Sequence, residues 1–121
     1  MRILYIEDNP NDAKLVKRYV ETTSNDLVIA PTLEEVYERL SEPEPFGFIM
    51  VDIMINNHRS GFELPHLLRE QGYMGHIIAV TALNSPQDKA ACAEAGFSDV
   101  LTKPFLMNTL AEMLTQYTAT A

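Results

Sequence analysis

Five polar residues in this sequence each stand at the end of a short apolar run. Glu7 and Asp8 follow Arg2 to Ile6 (RILYI), and Asp52 ends the run Phe48-Ile49-Met50-Val51. Thr81 follows His76 to Val80 (HIIAV), and Lys103 follows Asp99 to Thr102 (DVLT). Three carboxylates held close together repel and raise one another's pKa unless positive charge sits among them. A hard divalent cation taking oxygen ligands answers that need, and Mg²⁺ also recruits phosphate oxygens. An Asp beside bound Mg²⁺ can act as a nucleophile towards phosphorus, giving an aspartyl phosphate. Lys103 would supply a point charge for the phosphoryl oxygens, and Thr81 a hydroxyl that can follow the new group. Each residue alone has an ordinary explanation, because polar residues end strands routinely and acids cap helices. Five of them at the ends of four strands point to a site.

For these residues to meet, the apolar runs must lie side by side in one sheet. Phe48 to Asp52 has no helical period and reads as a strand buried on both faces, as in the middle of a parallel sheet. Arg2 to Ile6, Leu27 to Ala30, His76 to Val80 and Asp99 to Thr102 read as four more strands. Helices alternate with them. Asn9-Pro10 and Ser85-Pro86 are cap-plus-proline starts, and Thr32-Leu33-Glu34-Glu35 matches a capping box. The first helix is expected to turn Leu15, Val16, Tyr19 and Val20 inward, and the second Leu33, Val36, Tyr37 and Leu40. A third runs from Gly61 to Gln71 with Leu64, Leu67 and Leu68, and Pro65 is tolerable only if it begins late. The fourth is built from Ala90, Ala91, Cys92, Ala93 and Ala95 up to Gly96. The last carries Leu110, Met113, Leu114 and Tyr117 inward. Five alternating strands and helices imply a doubly wound α/β sandwich of flavodoxin type, its parallel five-stranded sheet ordered 2-1-3-4-5. All parallel strands end on one edge, so Glu7, Asp8, Asp52, Thr81 and Lys103 converge there.

Composition sets the bounds. A chain of 121 residues, 46% apolar, makes one domain and one core. The formal net charge of −8 argues against direct binding to nucleic acid or an anionic membrane. A single cysteine, Cys92, cannot form an internal disulfide, and no stretch reaches the length of a membrane span. With no signal-peptide pattern at the N-terminus, a cytoplasmic domain is expected.

On these residues the chain resembles a response-regulator receiver domain of two-component signalling, over nearly its full length. The matching pieces are Tyr5-Ile6-Glu7-Asp8-Asn9, Met50-Val51-Asp52-Ile53-Met54, Gly61-Phe62-Glu63-Leu64, Val80-Thr81-Ala82 and Thr102-Lys103-Pro104-Phe105. The resemblance implies a single receiver domain, 1–121, that takes a phosphoryl group onto Asp52 from the phosphohistidine of a sensor histidine kinase or histidine phosphotransfer protein. It implies Mg²⁺, or Mn²⁺, held by Glu7, Asp8, Asp52 and the backbone carbonyl of Met54. Thr81 would be the switch hydroxyl, Lys103 the phosphate-binding residue, and the Lys103-Pro104 peptide cis. Such a domain is a signalling phosphoacceptor that catalyses only its own phosphorylation and dephosphorylation. In the family the first helix and adjacent loops meet the histidine-bearing helices. The signal leaves through the face made by the fourth helix, fifth strand and fifth helix, to a downstream protein target.

Three departures stand out. Val100 occupies the position, three residues before the Lys, where the family usually has Tyr or Phe. The loop after Asp52 reaches Gly61 one residue late, lacks the Met-Pro pair, and has Ser60 where an acid is usual. Met54 and Leu83 are apolar at two positions where polar residues help hydrolysis, so slow loss of phosphate is expected. Val100 and the altered loop leave room for an interaction module that works unphosphorylated. A phosphohydrolase would want an acid at Met54 to protonate the leaving group, and a dinucleotide-binding domain would need a Gly-x-Gly-x-x-Gly after the first strand. Both readings fail on those positions. His58, His66 and His76 share no metal-ligand spacing, and His58 and Arg59, in the lengthened loop, are candidates for touching a partner.

Overall fold

The computed structural model describes residues 1–53 and 59–118 of the chain. Strands β1 (Arg2–Ile6), β2 (Asp26–Ala30), β3 (Phe48–Asp52), β4 (His76–Thr81) and β5 (Asp99–Thr102) form one sheet. Between and after them run α1 (Pro10–Val20), α2 (Leu33–Leu40), α3 (Leu64–Glu70), α4 (Pro86–Ala95) and α5 (Met107–Thr118). Every strand pair is parallel and the order is β2-β1-β3-β4-β5, as the alternation of elements predicted. The chain reverses direction of winding between β1 and β3, which opens a crevice at their carboxyl ends.

All five residues of β3 are buried. Because strand side chains alternate, Phe48 and Met50 enter the layer under α1 and α5, while Ile49 and Val51 enter the layer under α2, α3 and α4. Burial of an aliphatic or aromatic side chain is worth about 1.5–3 kcal/mol, so β3 is fixed from both sides. That rigidity is what holds Asp52 at its tip.

The helix starts follow their local chemistry. Asn9 Oδ1 accepts the N–H groups of Asn11 and Asp12, with Pro10 at the first helical position. Ser85 and Asp88 exchange side-chain and backbone bonds in a capping box at α4, and Thr32 accepts the Glu35 N–H at α2. A 3-10 turn at Arg59–Glu63 precedes α3. The α-helix therefore begins late enough for Pro65 to lie in its first turn, where a missing N–H is harmless. Glu63 is the residue at that cap, and it makes no side-chain capping bond.

Two expected core residues lie outside the core. Leu15 is 56% exposed and Leu33 41% exposed. A helix lying on a sheet buries a narrow stripe, and in α1 Ala13, Val16 and Val20 fill it. Leu15 is turned roughly 100° away from Val16. In α2 only Val36 is buried, with Tyr37 and Leu40 half-buried, and Leu33 sits in the opening turn on the solvent side. The α5 stripe of Leu110, Met113, Leu114 and Tyr117 is buried as expected. Among the described residues no helix is long and apolar enough to cross a membrane.

Candidate functional site

The sheet register sets the strand ends level. Ile6 pairs with Val51, Asp52 with Val80, and Thr81 with Thr102. Glu7 and Asp52 therefore project from neighbouring tips, with Thr81 and Lys103 one strand and two strands further on. Among the described residues the buried polar and charged side chains are Glu7, Asp52 and Thr81, all at this edge. Buried polar groups are costly without partners, so their concentration here marks the place where the fold departs from a plain apolar core.

Glu7, half-buried Asp8 and Asp52 each offer a carboxylate oxygen within 4.8 Å of the others. Positive charge comes from Lys103, whose Nζ donates to Asp52 Oδ2 at 2.9 Å, Glu7 Oε2 at 3.0 Å and Asp12 Oδ2 at 3.1 Å. Burial alone would lower the lysine's pKa. The carboxylates of Asp52 and Glu7 outweigh it and hold the ammonium form well above the usual range. Glu7 moves the other way for a carboxylate: burial, then the neighbouring Asp52, push it up to about 7, against the Asn9 N–H and the lysine. Its Oε1 accepts the Asn9 N–H at 3.0 Å, and its Oε2 accepts the Tyr5 hydroxyl at 3.1 Å as well as Lys103. The Tyr5 phenol is itself fully buried, and burial followed by the Glu7 charge raises its pKa far above the ordinary value.

The remaining predicted residues fall as follows. Thr81 Oγ1 accepts the Leu83 N–H at 3.0 Å, and the Thr81 carbonyl accepts the Lys103 N–H at 2.8 Å. The Lys103-Pro104 peptide is cis. Val100 pairs with Ala79, half-buried on the α2–α4 side of the sheet. Met54 and His58 lie outside the described residues, and Arg59 and Ser60 are described in backbone only. Gly61 closes the altered loop: its N–H donates to the Ile53 carbonyl at 3.1 Å. A Cβ there would stand 2.6 Å from the Asp52 carbonyl oxygen and 2.6 Å from Ile53 Cα, so no larger residue fits without moving the tip of β3.

Tyr5 and Asp12 belong to the site although the strand-end pattern did not single them out. A signal for Tyr5 was available, since it is two residues before Glu7 and so on the same face of the strand. Asp12 gave none, because an acid in a first helical turn already has a local explanation. Beside them an apolar cavity of about 280 Å³ opens between α1 and the turn after β5, lined by Tyr5, Asp12, Leu15, Lys103, Phe105 and Met107.

Comparison with known proteins agrees with this geometry. The response regulator receiver domain family matches residues 3–115. The probable C4-dicarboxylate response regulator DctR of Halalkalibacterium halodurans is 33% identical over 97% of this chain, which spans 51% of that protein's length. An uncharacterised 14.6 kDa protein of Leptolyngbya boryana is 30% identical, over 97% of this chain and 89% of its own. The Francisella response regulator 1452 receiver domain superposes with a TM-score of 0.86 at 26% identity, covering 99% of this chain and 98% of that one. The chain belongs to the response regulator receiver domain family of two-component systems.

Proposed function

We propose that Asp52 is the phosphoacceptor of this receiver domain. The observation that carries the reading is a buried carboxylate at a rigid strand tip, paired with Lys103 at 2.9 Å and flanked by Glu7 and Asp8. An oxygen of Asp52 attacks the phosphorus of a phosphohistidine. The new P–O bond forms as the P–N bond breaks, and the departing imidazole nitrogen keeps the electron pair and takes up a proton. Lys103 turns its N–H groups towards the phosphoryl oxygens, and Thr81, one strand over, follows with its hydroxyl. The chain would thus catalyse its own phosphorylation.

The donor set fits a hard cation. Glu7, Asp8 and Asp52 contribute oxygen atoms only, which suits Mg²⁺ or Mn²⁺ and not a soft metal. Such a cation, bound by these three and the Met54 carbonyl, would offset the acids and the incoming phosphoryl charge. The phosphodonor's docking is assigned, by likeness to the family, to α1 and the adjacent loops, where an apolar cavity beside Lys103 with exposed Leu15 and half-buried Phe105 supports the reading. The downstream contact is assigned to the α4–β5–α5 face, by likeness to the family.

Incubation with acetyl phosphate or phosphoramidate and Mg²⁺, followed by intact mass, tests the reading. A gain of one phosphoryl group is expected. No gain from either donor, with or without the cation, overturns it.

A further inference from the structure

An ammonium group has three N–H donors, and all three of Lys103's are directed at carboxylates. Glu7 and Asp52 belong to the strand tips. Asp12 comes from α1, 91 positions away in sequence, and reaches across the mouth of the site. Its carboxylate is not the cap of α1, because Asn9 Oδ1 already accepts the N–H groups of Asn11 and Asp12. It is 46% exposed, while Lys103 is 23% exposed, so the pair closes the outer side of the cluster.

A phosphoryl group arriving at Asp52 needs those same N–H donors for its oxygens. Glu7 and Asp52 are level with one another at adjoining strand tips, and both are fixed by the sheet. Asp12 is the acceptor that sits on a different layer and offers Lys103 a partner outside the strand tips. It also adds a negative charge where a dianionic donor must enter.

We propose that Asp12 is a positioning residue that competes with the phosphoryl group for Lys103, and so sets how readily Asp52 is phosphorylated. The inference rests on the phosphoacceptor reading of Asp52. Removing the Asp12 charge frees one donor of Lys103 and lowers repulsion at the mouth. Both effects favour the phosphoryl-bound state. The expected change is roughly two- to fivefold, the range open to a partly exposed ion pair.

The test compares the wild-type chain with Asp12→Asn, Asp12→Ser and Asp12→Glu, each checked for folding by circular dichroism. One readout is affinity for beryllofluoride, a non-covalent phosphoryl mimic, in the presence of Mg²⁺, followed by ¹⁹F NMR. The other is the dependence of phosphorylation rate on acetyl phosphate concentration, and Mg²⁺ affinity alone serves as the control. Asp12→Asn and Asp12→Ser are expected to bind beryllofluoride two- to fivefold more tightly. Their KM for acetyl phosphate should fall by a similar factor with kcat little changed, and Mg²⁺ affinity should not fall. Asp12→Glu should stay near wild type. A role confined to starting α1 would shift the melting temperature and neither constant, and that result overturns the inference. So does weaker binding of Mg²⁺ or of beryllofluoride in Asp12→Asn. If the wild-type chain takes up neither beryllofluoride nor phosphate, the phosphoacceptor reading falls and the inference with it. If wild type takes up both and Asp12→Asn matches it, only the inference falls.

Discussion

Lys103 decides the character of this site, because without it three carboxylates share a buried edge with no positive charge. Glu7 records the strain. Its folded pKa, raised by burial and by Asp52 to about 7 from 4.5, means that the native chain binds a proton more tightly than the unfolded one. The resulting stabilisation is full below about pH 4.5 and is lost as pH rises through about 7. Urea unfolding in the absence of divalent cation should therefore give falling stability between those values, and Glu7→Gln should flatten that part of the curve. An unchanged slope in Glu7→Gln would contradict the assignment. The Tyr5 hydroxyl, bound to Glu7 inside the core, makes a second measurable contribution. Tyr5→Phe removes this buried bond and should cost about 0.5–1.5 kcal/mol in the same assay. Strand-end acids were legible in the sequence because each stands where an apolar run stops. Asp12 was not, since its role comes from a contact between α1 and the end of β5 that no local spacing encodes, and Tyr5 was readable only through the strand face it shares with Glu7.

The elements differ in how firmly they are held, and that difference bears on signalling. α5 buries Leu110, Met113, Leu114 and Tyr117, whereas α4 buries Cys92 alone. Thr81 Oγ1 holds the Leu83 N–H at the start of the β4–α4 connection. On the proposed switch role of Thr81, turning the hydroxyl to a phosphoryl oxygen would take the partner from that N–H and release the connection. Amide exchange should accordingly be faster in α4 than in α5, and faster still in α4 after phosphorylation. Thr81→Ala should erase the second difference, and equal protection of α4 and α5 would count against the account. At Gly61 the tight approach to the Asp52 carbonyl makes Gly61→Ala a direct perturbation of the β3 tip. A loss of about 1–3 kcal/mol in stability, with slower phosphorylation, is expected from chemical melts and intact mass. The buried strands were readable because a two-faced burial demands an unbroken apolar run. Helix faces were less so: spacing alone does not say which of two adjacent apolar residues meets the sheet, and Leu15 and Leu33 were assigned to the wrong side.

For the molecule as a whole, the doubly wound topology gathers residues from four strands and α1 at one edge, and the function follows from that edge. Fold and strand order were legible because alternating strands and helices with right-handed crossovers leave few arrangements. The relay was not, since Val100 stands on β5 where the family carries an aromatic residue, and its half-buried place beside Ala79 gives no ring to move. Apolar residues in sequence two positions after Asp52 (Met54) and two after Thr81 (Leu83) predict a phosphorylated form that outlasts seconds without a phosphatase, followed by timed intact mass. The most direct test of the central claim is to locate the phosphoryl group. Wild-type protein is phosphorylated with phosphoramidate and Mg²⁺, reduced with borohydride to convert an aspartyl phosphate to homoserine, and mapped by peptide mass spectrometry. The account predicts homoserine at residue 52 and no phosphoryl uptake by Asp52→Asn. Homoserine at another acid, or undiminished uptake by Asp52→Asn, would contradict it.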